Sequence, residues 1–209
     1  MQKVDEEFYR VGDLVDLLKS RRLEDQLPKR LWLRRLALLE NLNNYYRFAV
    51  SSVRFFQESM EGAMDQLSAG APTDDFDDKL HSSAIAFYSY CRVCLESSRL
   101  LSEEAILSSA SEESANILQA HRDAHTSWAR EIIDKRNAIT AHPHERMRQF
   151  ITGSPSSWGS GGRVRFNTID LEHLTVPGKE YELEPTEDLI ALKAYIEKTI
   201  THLRSIYQI

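Results

Sequence analysis

The stretch YRFAVSSVRFFQESMEGAMDQL, residues 46–67, places Tyr46, Ala49, Val53, Phe56, Met60, Met64 and Leu67 at steps of three and four. Such steps return apolar side chains to one narrow face of a 3.6-residue helix, the seam of a bundle or coiled coil. Upstream, neither Gly nor Pro interrupts the chain between Pro28 and Gly62. Pro28 suits a first helical turn, where a missing N–H costs nothing. The reading is a long helix from about residue 28 that needs apolar partners.

The partners follow along the chain. Beyond the AGAP break, Thr73, Asp74 and Asp75 carry a helix-start signature, and Ile85, Tyr88, Cys91, Val93, Leu95 and Leu100 continue it. Ile117, Ala120, Ala124, Trp128, Ile132, Lys135 and Ile139 predict a third helix, which Pro143 stops at His142. Pro185 opens a fourth, with Leu189, Leu192, Tyr195, Ile196, Ile200, Leu203 and Ile206 in its stripe. Residues 102–114 read equally as short helix or loop.

Two segments stand outside this scheme. Residues 1–27 predict a helical arm, with Phe8, Val11, Val15 and Leu18 at helical spacing. Residues 144–184 predict a loop and a small β-hairpin insertion, in which RVRFNTIDL pairs with YELE. The expected fold is therefore all-α: an antiparallel four-helix bundle over 28–209, with an N-terminal arm and a hairpin between the last two helices.

Composition limits the function classes. The chain has 209 residues, 42% hydrophobic and 28% charged, with a formal charge of −6. An acidic balance argues against nonspecific coating of nucleic acid. Yet Lys19–Arg35 holds seven basic residues against two acidic ones, a local patch of opposite sign. No apolar run approaches a membrane span, and the first residues lack a signal-peptide core, so a cytoplasmic protein with no membrane partner is expected. Cys91 and Cys94 cannot build a disulfide framework and read as core residues.

The densest set of reactive side chains is DKRNAITAHPHE, residues 134–145, where Arg136, Asn137 and His142 gather at a helix end. Arg136 followed by Asn137, four further residues and His142 resembles the R-x(4-6)-H signature of HEPN domains, and the layout of long helices before the motif and one after it is similar. The resemblance spans roughly residues 30–208 and is nearest to HEPN proteins of the abortive-infection type. It implies a HEPN-like bundle, a homodimer, and a metal-independent endoribonuclease acting as a toxin or phage-defence effector, with RNA as substrate and an antitoxin or other defence-system protein as partner. It equally allows a noncatalytic module that binds RNA, a nucleotide or a regulatory protein.

The residue types fit RNA cleavage by the substrate's own 2′-hydroxyl. His142 titrates near neutrality, Arg136 offers a cationic fork for a phosphorane, and Asn137 can orient either group; no cofactor is required. On an unbroken helix, positions six apart lie about 120° apart around the axis, so one straight helix does not converge Arg136 on His142. Either the helix ends first or a second copy completes the cleft.

Other sets carry less. Arg30, Trp32, Arg34 and Arg35 in PKRLWLRR, with His144, form a secondary RNA-binding set, against which stands a plain cationic helix face. His121 and His125 have zinc spacing but no completing ligands, so no metal site is expected. The acidic run Asp74–Asp78 reads as a helix start, and the loop at 153–162 has no phosphate-cradling pattern.

Overall fold

The computed structural model describes residues 3–11, Leu14, Leu17, 29–70, 74–139, 147–151, 164–170 and 180–207, with side chains outside 74–77, 138–139 and the strand residues before Leu183. A 3₁₀ turn, Glu6–Tyr9, precedes α1 (Lys29–Ser68), α2 (Asp74–Ser108), α3 (Glu112–Ile139), β1 (Met147–Ile151), β2 (Val164–Asp170), β3 (Glu180–Leu183) and α4 (Pro185–Tyr207). The four helices pack as an all-α bundle around one core.

α1 runs through Gly62 and stops where Gly70 takes φ +70°, with Gly70 N donating to Leu67 O. Its seam is buried from Tyr46 to Met60, where Ala63 takes over, whereas Met64 is 37% exposed. This face is spent on the chain's own core.

Residues 102–114 divide between helices. α2 continues to Ser108, and Ser111 caps α3 by accepting from Ser114 N at 3.2 Å, with Glu112 and Glu113 matching the helix dipole. α3 is rotated from the expected stripe in its first half: Ile117, Ala120 and Ala124 face out, and Leu118 and His121 face in. From Trp128 to Lys135 the expected face is the inner one.

Buried polar side chains tie the layers together. Lys135 Nζ donates to Asp188 Oδ2 at 2.9 Å, and Tyr88 OH donates to the same oxygen at 2.6 Å, joining α3, α2 and α4. Burial pushes the Asp188 carboxyl up while Lys135 and Tyr88 pull it back. Gln57 Oε1 accepts from Val4 N and Gln57 Nε2 donates to Thr186 Oγ1, linking the N-terminal segment, α1 and α4. That segment joins the same core through Val4, Phe8, Val11, Leu14 and Leu17. Leu14 and Leu17 were absent from the expected stripe; Val15 and Leu18 lie outside the described residues.

Between α3 and α4 there is an antiparallel sheet of order β1-β2-β3 rather than a two-stranded hairpin. Met147 pairs with Asp170, and Val164 with Leu183. Leu183 is buried and anchors the last strand to the bundle. No helix among the described residues is long and apolar enough to cross a membrane.

Candidate functional site

Arg136 and Asn137 occupy the last turn of α3, beyond Lys135, whose side chain turns inward to Asp188. Arg136 is half-buried and Asn137 exposed. Arg136 Nη1 donates to Asn137 Oδ1 at 3.2 Å, and the guanidinium keeps a further partner. The two residues thus form one polar corner at a helix C-terminus, where a cation is favoured by the exposed carbonyls. His142 and His144 lie outside the described residues, as do the side chains of Asp74, Asp75 and Asp77 and the loop at 153–162.

Within the basic set on α1, Arg34 and Arg35 tie helices together. Arg35 is 3% exposed: its Nη2 donates to Ser108 Oγ at 2.9 Å, and its guanidinium lies 4.9 Å from the Tyr207 ring centroid. Arg34 Nε and Arg35 Nε both meet Glu104, at 2.6 and 3.5 Å. Burial pushes the Tyr207 hydroxyl up to about 12, against the pull of Arg35. Trp32 packs its half-buried ring on the core. Of the expected RNA-binding residues on α1, Arg35 is thereby corrected to a buried clip between α1, α2 and α4; Arg30 stays exposed.

Among the described residues, His121 and His125 belong to no group of three or more His, Cys, Asp and Glu side chains placed to hold a metal ion. Their rings lie 4.6 Å apart, and His121 stacks on Tyr195 at 5.1 Å and meets His202 at 5.3 Å. Thr199 Oγ1 donates to Tyr195 O, so the 3.0 Å contact with His121 Nε2 is one in which the imidazole donates. Burial, then His125 and His202, push His121 down to about 4. Cys91 and Cys94 are buried free thiols, both pushed up first by burial.

Beside this stack opens a cleft of about 530 Å³ between α2 and α3, lined on one wall by Arg92, Leu95, Glu96 and Arg99 and on the other by Arg122, Ala129, Arg130 and Ile133. Glu103 Oε1 accepts from Arg99 Nη1 at 2.7 Å and from Arg122 Nη2 at 3.1 Å, bridging the walls at one end. Glu96 holds Arg99 by two further bonds, at 2.6 and 3.0 Å. Arg92 and Arg130 are exposed and make no ion pair with a described residue. Charge scanning along the sequence missed this set, because its members come from two helices and no four are adjacent. The available signal was spacing: Arg92 and Arg99 are seven apart, and Arg122 and Arg130 eight, each pair returning to one helix side.

Comparison with known proteins returned no matching family model, no matching curated protein and no matching solved structure.

Proposed function

We propose that this chain is a metal-independent endoribonuclease of HEPN type, working as a homodimer in the cytoplasm, with a toxin or phage-defence role and an antitoxin or other defence protein as partner. The observation that supports the reading best is the polar corner at the end of α3, where Arg136 and Asn137 stand side by side at 3.2 Å, six and five residues before His142. In this reading His142 takes the 2′-hydroxyl proton, Arg136 stabilises the charge developing on phosphorus, and Asn137 holds the guanidinium in place. The 2′-oxygen forms a bond to phosphorus as the P–O5′ bond breaks, giving a 2′,3′-cyclic phosphate end and a 5′-hydroxyl that takes its proton from water.

RNA cleavage by the full chain in excess EDTA tests this. His142→Ala and Arg136→Ala should each slow cleavage by about 10²-fold or more while circular dichroism stays unchanged. Equal cleavage by both folded variants, or products lacking the cyclic phosphate, would remove the mechanism, and a monomer at micromolar concentration in sedimentation would remove the composite cleft. The noncatalytic alternative draws on the same Arg136–Asn137 bond, which is also what a polar helix end needs. A folded chain that binds RNA and never cuts it favours that alternative.

A further inference from the structure

The cleft between α2 and α3 has the composition of a nucleotide seat. Its floor is apolar, from Leu95, Ala129 and Ile133, and guanidiniums stand on both walls. Its volume is that of a pocket for one small ligand. α2 and α3 are joined by three residues and so run antiparallel, which sets Arg99 opposite Arg122 and brings Arg92 toward Arg130. The first pair is cross-linked by Glu103 and cannot respond freely to an anion. The second pair is exposed and makes no ion pair with a carboxylate of the described residues, although Glu96, whose carboxyl is lowered first by Arg99, lies near enough to Arg92 for that charge to lower it further.

The cleft also has a direction. Around α3, Arg122, Thr126, Ala129 and Ile133 recur at steps of four, three and four, and the next positions on that face are Arg136 and Asn137. Arg130 to Arg136 is about 9 Å of helix. An anionic polymer lying along α3 therefore passes from the Arg92 and Arg130 pair to the corner at Arg136 without crossing the bundle.

We infer that this cleft seats one nucleotide of a single-stranded RNA next to the cleavage position, its phosphate between Arg92 and Arg130 and its base on the floor of Leu95, Ala129 and Ile133. The inference rests on the RNA-cleaving reading for what happens at Arg136, but not for binding itself. Arg92 and Arg130 are positioning residues: they hold the strand and do not touch the reacting atoms. Glu96 and Asp123, also on the lining, disfavour anions that make no use of the apolar floor.

The test is fluorescence anisotropy of a labelled 12-nucleotide single-stranded RNA with the full chain, in EDTA, at several salt concentrations. Because both arginines are exposed, Arg92→Glu and Arg130→Glu should fold with unchanged melting temperature. Together they should weaken binding roughly 10-fold or more and lower the salt slope by about 0.7, the counterion release expected for one phosphate of a single strand. Ile133→Ser should weaken binding without changing the slope. The inference is overturned if wild type does not bind the RNA, if the folded double variant binds it equally well, if AMP binds as tightly as the 12-mer, or if polyglutamate of equal charge displaces the RNA as well as unlabelled RNA does. His142→Ala should bind normally. Wild type that binds with the expected arginine dependence yet never cuts removes the nuclease mechanism alone.

Discussion

His121 has its Nε2 hydrogen committed to Thr199, and its Nδ1, buried, finds no acceptor among the described residues. Protonation would add an N–H with nowhere to donate, beside His125, His202 and Lys198, which together with burial accounts for a titration near 4. The folded state thus holds this histidine neutral while an unfolded chain protonates it near 6.5. Between those values the unfolded state binds more protons, so stability is full above about 6.5 and is lost as the pH falls toward 4. His202 is lowered by burial as well and acts in the same direction. Urea unfolding should lose about 3 kcal/mol from this histidine between pH 7 and pH 4. His121→Phe should flatten that slope; an unchanged slope would place the acid sensitivity elsewhere.

Each helix boundary is set by a local device. α1 ends at Gly70, whose φ of +70° costs other residues because Cβ approaches the carbonyl oxygen. A Cβ there would meet nothing within 4 Å, so the cost of substitution is conformational alone. Gly70→Ala should destabilise by about 1 kcal/mol and Gly70→Asn by less, read as shifts in urea midpoint. Equal stability of all three would mean that the turn at residues 69–70 relaxes. α3 is capped by Ser111 and α4 begins at Pro185, residues whose preference is local, although only Pro185 reads as a helix start from the sequence.

Across the whole molecule, the N-terminal segment belongs to the core. Leu14 and Leu17 are at most 1% exposed and share one cluster with the four helices, and Tyr46 OH donates to Phe8 O at 2.7 Å. Leu17→Ala should cost about 3 kcal/mol in chemical unfolding, as for a leucine deleted from a packed interior. Leu107, 87% exposed, is the control, and its alanine variant should be near neutral. If the two substitutions cost the same, the segment is not part of the cooperative unit.

The helices were legible in the sequence because apolar steps of three and four, acidic helix-start residues and helix-opening prolines act within a few residues of themselves. The α1 seam from Tyr46 to Met60 and the α4 stripe are the clear cases, and the Arg136–Asn137 corner was legible as a pair because both sit on one turn. The inner face of early α3 was not. There the buried positions include a histidine, which a hydrophobic count passes over, and its hydrogen bond to Thr199 and its stack on Tyr195 come from α4. The same applies to charge. Arg35 reads either as part of an RNA-binding set or as part of a cationic helix face, yet Glu104, Ser108 and Tyr207 hold it in the interior. The arginines of the α2–α3 cleft, 23 to 38 residues apart in the chain, became one site when two helices packed side by side. Local preference is written residue by residue, whereas which polar groups are buried, paired or left facing a cleft depends on neighbours that only packing supplies.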